Sequence, residues 1–464
     1  MFWFTFIKVQ YKTQLQNEMR EILNLDRKTK ESIILLQIGT FLEYFDLMLF
    51  VHMAVVLNEL FFPKSDPFTT SLITAFSFCS TFILKPVGAL LFGYIGDKIG
   101  RKHTVVITTM LMAISCLIMA NVPTYAQIGI TASWVITICR GLQGMSSIGE
   151  SVGAELYTAE MIKPPLRYRA VALIGLAGVI GMVVSLIVAR LVLSIGISWR
   201  IVFWIGALIA LVGSLARITL RESPEFSDAK RKMQNAIRNS KEDGLENIAK
   251  LFSSTNKYLD EKVCKKTSLA YFMVFCGWPF CFYFSYVHCG GILKNQFDYT
   301  KEAVINQNLI VSLVNLVGLF SFVWLTKKIH PLIILKWKVL IYIPFICIVP
   351  WLLSRAESAS SILVIQCLSV VFGNSTIPAK AVFLMHFPIF KRFRYASFIT
   401  AISHVLLYIL TSFGLVYAVY YFSHYGILFI SLPTTLSFLF GVLYFTKLEK
   451  EIGSYPLEGE WQVR

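Results

Sequence analysis

The chain is 464 residues long, 56% hydrophobic and 14% aromatic, with 43 Lys and Arg against 27 Asp and Glu and a net charge of +16; its mean hydropathy is +0.65. A soluble chain of this length divides into about three domains, but this composition describes lipid as the solvent and excludes that class. Of nine cysteines, eight (Cys79, Cys116, Cys139, Cys276, Cys281, Cys289, Cys347 and Cys367) fall in or beside apolar segments and none forms a Cys-x-x-Cys pair, so they read as small buried apolar residues rather than redox or metal groups.

Residues 1–32 open with MFWFTF, too short for a signal-peptide core and without a small-residue cleavage site behind a charged leader. Lys8, Lys12, Arg20, Arg27, Lys28 and Lys30 fit a cytoplasmic tail, and Met19 is an alternative start because nothing before it has a clear structural pattern. From Ile33 onward, apolar runs of about 20 residues recur, each able to cross a hydrocarbon core ~30 Å thick as helix. Twelve spans are expected: 33–61, 70–95, 103–121, 129–158, 170–193, 199–220, 267–289, 306–326, 332–353, 360–384, 395–421 and 425–446. The ten-residue alternation of barrel strands is missing.

The expected fold class is therefore an all-α polytopic membrane protein with two six-helix bundles, at 33–221 and 267–446. Tails at 1–32 and 447–464 and a central loop at 222–266 complete it. That loop carries both signs, including Lys230, Arg231, Lys232, Glu242, Asp243, Glu246, Asp260 and Glu261, and is too small and polar to house a catalytic domain. With a cytoplasmic amino terminus, 34 of the 43 basic residues fall in the tails and in the loops near 98–102, 163–169, 217–266, 327–338 and 391–394. The positive-inside rule requires that asymmetry, and an even number of spans puts both termini inside. The charge is thus explained as a solvated face beside anionic lipid, with no nucleic-acid partner.

Between spans two and three, GYIGDKIGRK sets Gly93, Asp97, Lys98, Gly100, Arg101 and Lys102 at the spacing Gly-x-x-x-Asp-(Arg/Lys)-x-Gly-(Arg/Lys)-(Arg/Lys). Gly93 lets helices approach closely, Gly100 allows a left-handed turn, and Asp97 can pair with a cation or cap a helix start. Here the chain resembles the major facilitator superfamily. EYFD (Glu43, Tyr44, Phe45, Asp46), KPVG at 85–88, PTYAQIGI at 123–130, RGLQGMSSIGE at 140–150, WRIVF at 199–203 and RESPEF at 221–226 are similar to its metabolite:proton symporter branch. That branch includes the bacterial proline and glycine-betaine symporters. The resemblance covers nearly the whole amino-terminal half.

The second half departs from the pattern. In LTKKIHPL, Lys327 stands where an Asp is expected and Pro331 disrupts the rest, while FPIFKRFRYA at 387–396 keeps the family's Phe-Pro…Arg…Ala start of span eleven with extra residues. Lys85 replaces the branch's usual Arg, Ile148 replaces a Gly, and the coiled coil of osmosensing members does not follow Arg464.

Charges inside the spans are the candidates for mechanism, since each costs about 2.5 to 3.5 kcal/mol on insertion scales and must face a cavity or a partner. At 1.5 Å per residue, Glu43 lies about 15 Å from the end of span one and Lys85 about 18 Å from Asp97, a similar depth at which they can pair. Glu43 and Asp46, three apart, share a helix face. Arg140 and Glu150 also lie near midplane, and the resemblance implies that Arg140 tunes a carboxylate or holds a substrate carboxylate. Lys380 either joins this group or snorkels towards Lys391 and Arg392. Tyr44, Trp278, Tyr283 and Tyr286 lie on spans one and seven, which the resemblance implies line the cavity and where aromatic faces can recognise a quaternary ammonium, and Pro279 is placed to break span seven. His288, His386 and His404 lack metal-ligand spacing, and no catalytic motif is present, so neither enzyme activity nor a cofactor is expected.

By resemblance, the expected function is a proton-coupled symporter of a bacterial inner membrane, functional as a monomer. It would import a small polar metabolite such as proline or glycine betaine. Di- or tricarboxylates or related organic acids are the second substrate class, and a non-transporting receptor or scaffold is a second functional class.

Overall fold

The computed structural model describes residues 27–62, 81–195, 198–218, 220, 222–242 and 261–456, and among these it contains helices and turns but no strand. The first long helices are α1 (Arg27–Phe61), α2 (Lys85–Lys98), α3 (Arg101–Asn121), α4 (Ile130–Met161), α5 (Leu166–Ile195) and α6 (Trp199–Arg217). After α7 (Pro224–Glu242) come α8 (Lys265–Gln296), α9 (Lys301–Leu325), α10 (Pro331–Ser354), α11 (Ala359–Phe372), α12 (Lys380–Met385), α13 (Arg392–Ile409) and α14 (Leu428–Ile452).

Local chemistry sets several of the boundaries. Thr300 caps α9 by accepting from the Ala303 N–H at 3.2 Å, and Pro331 opens α10 at the position where a missing N–H costs nothing. The run at 360–384 is not one helix: it ends at Gly373 and restarts through a 3₁₀ turn, Ile377–Ala379, into α12. Helix α8 is interrupted at Cys276 and again by a π-helical turn, Tyr283–His288. Past α13, another π turn leads into Leu415–Phe422, which ends where Ser423 adopts a φ of +53°.

Among the described residues, seven helical segments are long and apolar enough to cross a membrane. They are Arg101–Asn121, Leu166–Val192, Lys265–Gln296, Glu302–Leu325, Pro331–Ser354, Ala359–Met385 and Arg392–Ile452. The last is long enough for two passes. Part of the expected second span (70–80), part of the central loop (243–260, with Asp243, Glu246 and Asp260) and the tails at 1–26 and 457–464 lie outside the described residues. The described part of the central loop is helical, as α7.

Burial is inverted relative to a water-soluble protein. Leu208, Val212 and Val317 are 63%, 58% and 67% exposed, whereas Glu43, Asp46, Lys85, Arg140, Glu150 and Arg217 are all buried. Such an apolar exterior matches lipid contact. Cys347 belongs to that exterior rather than to the buried set expected for it, and Cys264 is exposed too; every described cysteine is free.

Helix α1 packs on α4, α5 and α6, α3 packs on α4 and α6, and α2 packs on α4. In the later part of the chain α8 packs on α13 and α14, and α10 on α11 and α14. The two groups meet where α2 lies on α13 and α5 on α9 and α12. An apolar cluster between them joins Met48, Phe82, Val179 and Met182 to Phe282, Val311 and Tyr408.

Candidate functional site

A cavity lies between the two groups of helices. Glu43 and Tyr44 enter it from α1, Lys85 from α2, Ser151 and Val152 from α4, Trp278 and Phe282 from α8, Lys380 from α12, and Thr400, His404 and Tyr408 from α13. Its charged lining is two lysines and one carboxylate, and its aromatic wall is tightly packed: the Phe82 and Tyr408 rings are 4.2 Å apart. Lys85 Nζ sits 5.1 Å from the centre of the Phe82 ring, so one aromatic face already holds a resident cation.

Among the described residues the charges in and beside the cavity are paired, whereas Lys338 on α10 is buried with its Nζ 4.7 Å from the Phe322 ring centre and without a hydrogen bond. Lys85 Nζ is 3.9 Å from Glu43 Oε1, a pair contained within the first group of helices. Arg140 donates to Asp46 at 3.1 Å and to Gln143 at 2.8 Å, while Cys116 Sγ lies 3.7 Å from Asp46. Arg217 on α6 pairs with Glu150, which also accepts from Thr109 at 2.6 Å and from Thr108 at 3.2 Å. Lys380 donates to Glu155 at 2.6 Å, joining α12 to α4.

A second charged lattice closes one end of the helices. Asp97, near the end of α2, accepts the backbone N–H groups of Phe393 and Arg394 at 3.1 and 3.0 Å and the Arg101 guanidinium at 3.1 Å. It therefore caps the first turn of α13, where an anion is favoured. Arg101 also pairs with Glu160 at 3.1 Å, and Glu160 accepts from Arg392 at 3.2 Å. Glu222 accepts the N–H of Arg101 at 2.9 Å, Arg392 reaches Glu225 at 3.3 Å, and the Arg101 guanidinium lies 4.4 Å from the Phe226 ring centre. At Gly93 a Cβ would come within 2.6 Å of Arg394 Cα, so the glycine permits the α2–α13 contact.

The residues expected from sequence separate into groups. Glu43, Tyr44, Lys85, Trp278 and Lys380 line the cavity. Asp46 and Arg140 form their own pair beside it, although Asp46 and Glu43 were expected to work from one face, and Glu150 is held by Arg217 instead of facing the cavity. Tyr286 bonds to Ser312 at 3.1 Å, and Tyr283 packs in a separate cluster with Tyr342. Neither joins the cavity wall, because the π turn changes the side-chain register of α8. In the 93–102 turn, Asp97, Arg101 and Gly93 join the lattice, Lys98 is exposed over the Tyr94 ring at 4.6 Å, and Lys102 contributes its N–H to Glu222 at 3.4 Å. Gly100 departs from the expected left-handed turn: its φ of +150° and ψ of 159° form an extended conformation open only to glycine.

Sequence reasoning missed His404 and Tyr408 at the cavity, Glu155 behind Lys380, and Glu160, Glu222 and Arg392 in the lattice. For Glu155 the available signal was a second acid five residues beyond Glu150 on the same long helix. For Glu222 and Phe226 it was the RESPEF motif, which matched without a physical role.

The description Major Facilitator Superfamily belongs to the family whose model matches residues 36–409. A proline/betaine transporter of Salmonella typhimurium is 30% identical over 226 residues, 47% of this chain and 45% of the relative. An inner membrane metabolite transport protein of Escherichia coli is 34% identical over 213 residues, 43% of this chain and 48% of the relative. The chain thus spans about half the length of the curated relatives it matches. Among solved structures, a proton:xylose symporter bound to 6-bromo-6-deoxy-D-glucose superimposes with a TM-score of 0.69 at 17% identity, over 90% of this chain and 95% of that one.

Proposed function

The chain belongs to the major facilitator superfamily, and from that premise we propose that it is a proton-coupled importer of a small polar metabolite working by alternating access. In this reading twelve spans form two six-helix bundles, at 33–221 and 267–446, with both termini in the cytoplasm of a bacterial cell and the spans in its inner membrane. The Asp97 lattice then lies on the cytoplasmic side, and the structure is the conformer closed there.

The observation that carries the proposal is a charged cavity between two packed groups of helices, with inter-group ion pairs both at its wall and at one end. Rocking one group against the other must break those pairs, which makes their occupancy a control on which side is open. Proline and glycine betaine are the first substrates to consider, because relatives that share about half the chain carry those names. The two wall lysines favour organic acids as the second class. The buried carboxylate at the wall, Glu43, which the sequence also singles out, supplies a proton site.

A thermal-shift screen of the purified protein against zwitterions and organic acids tests this reading. A ligand that binds only the folded state at a hundred times its Kd adds about 2.7 kcal/mol of stability. At least one carboxylate-bearing solute is expected to raise the transition temperature. A flat response across both classes removes this substrate assignment.

A further inference from the structure

Among the described residues, one charged residue of the cavity wall is paired across the two groups of helices. Glu43 and Lys85 both belong to the first group, so a rigid movement of one group against the other leaves them together. Lys380 belongs to the second group, and its carboxylate partner Glu155, 2.6 Å away on α4, belongs to the first. The lysine lines the cavity and its partner does not. Glu155 is 2% exposed and its second oxygen, Oε2, is buried without a hydrogen bond. Lys380 therefore offers the cavity a cation whose present anion is incompletely satisfied and sits behind it.

We propose that Lys380 is the handle for a carboxylate on the transported solute and that Glu155 is the resident anion this carboxylate displaces, taking up a proton as it lets go. The inference rests on the transport reading above and deepens it. The exchange balances: the solute carboxylate and one proton enter, the Lys380–Glu155 contact breaks, a Lys380–solute contact forms, and an O–H bond forms on Glu155. The carboxylate and the proton cancel in charge, so the site's net charge changes only by the solute's remaining groups. Glu155 cannot stay ionised once its cation turns to the solute, because a buried charge without a partner is strongly disfavoured. Lys380 on α12 is the charged group that acts on Glu155, and Glu155 in turn is felt by Glu43 and Tyr44 on α1 and Tyr271 on α8. Lys85 and His404 complete the charged and titratable wall. Another anion there, Glu43, already has Lys85.

The consequence is a direct link between substrate and conformation. Loading a carboxylate removes one of the ion pairs that hold the two groups together, and it does so only when a proton is also available. A cation of the same size without a carboxylate has nothing to offer Lys380. The class of substrate is thereby a carboxylate, whether borne by a zwitterion or by an organic acid.

The test uses the full-length protein in detergent, with matched probes: glycine betaine against choline, proline against prolinol, and succinate. Dissociation constants are measured between pH 5.5 and 7.5. For wild type, a carboxylate probe is expected to bind up to tenfold more tightly per unit fall in pH, as one-proton linkage requires, and its alcohol counterpart at least tenfold more weakly. Glu155→Gln is expected to bind the carboxylate probe more tightly than wild type at pH 7.5 and to lose the pH dependence. Lys380→Met is expected to lose at least tenfold in affinity. Gel filtration and the transition temperature check that each variant is folded, and the near-isosteric Glu155→Gln decides the matter if Lys380→Met is not. Equal binding of acids and alcohols, or a Glu155→Gln variant with the wild-type pH dependence, overturns the inference while leaving transport standing. Failure of every probe to bind overturns the substrate reading, and the inference with it.

Discussion

Asp97→Ala is expected to cut the turnover rate by more than tenfold while leaving the dissociation constant of a bound solute within about twofold. The carboxylate lies far along α2 from Lys85 and touches nothing in the cavity. Its three acceptor contacts all belong to the lattice, and the two from Phe393 and Arg394 exist only while α2 and α13 are together. Hydrogen bonds to a charged group are worth about 1.5 to 3 kcal/mol each. Losing two of them reduces the preference for the closed lattice by about 3 kcal/mol, roughly a hundredfold in population. Arg101 keeps Glu160, so the variant retains part of the seal. Turnover and binding measured on the same preparation separate the outcomes, and a larger effect on affinity than on rate would falsify the assignment of Asp97 to switching.

Arg217→Met is expected to be the most destabilising single change in the first group of helices, at about 3 to 5 kcal/mol, because it strands a buried carboxylate. Arg217 is fully buried and pairs with Glu150, and it also donates to the carbonyls of Leu35 and Leu36 at 2.9 and 3.0 Å. Its removal leaves Glu150 with the hydroxyls of Thr108 and Thr109 alone, and α1 loses two hydrogen bonds from α6. The double variant Arg217→Met with Glu150→Gln is expected to recover much of the loss, since a neutral side chain no longer needs the cation. Thermal unfolding of both variants beside wild type in detergent checks this. A stable Arg217→Met protein, or a double variant worse than the single one, contradicts the structural role given to the pair.

Glu150 shows where sequence reasoning stops. Position and charge marked it as a midplane acid, but only the packing of α6 against α3 and α1 shows that its partner is Arg217, which the sequence places at a loop boundary. The depth argument for Glu43 and Lys85 works better because both sides of that pair are fixed by counting residues from a membrane face. Counting fails for Asp46, whose three-residue offset from Glu43 is enough to hand it to Arg140 on another helix. It fails again for Tyr283 and Tyr286, where the π turn inserts a register change that periodicity of 3.6 does not contain.

The GYIGDKIGRK turn was legible in its chemistry and not in its connections. An acid next to basic residues at a helix end announces a cap or a pair. The groups it caps, Phe393 and Arg394, are nearly 300 residues away, in the one stretch of the second half that kept a recognisable motif. Similarly, the break of α11 at Gly373 is what sets Lys380 opposite Glu155. A sequence read as one continuous span hides that geometry, and snorkelling then competes with a cavity role on equal terms.

The central claim, import of a solute carboxylate driven by protons, is tested most directly by uptake of labelled proline, glycine betaine and succinate into proteoliposomes containing the purified protein. With the inside held at neutral pH, acidifying the outside is expected to accelerate uptake of at least one of them several-fold and to raise its plateau above the equilibrium level. Uptake of all three that is unchanged by the pH gradient contradicts proton-coupled import.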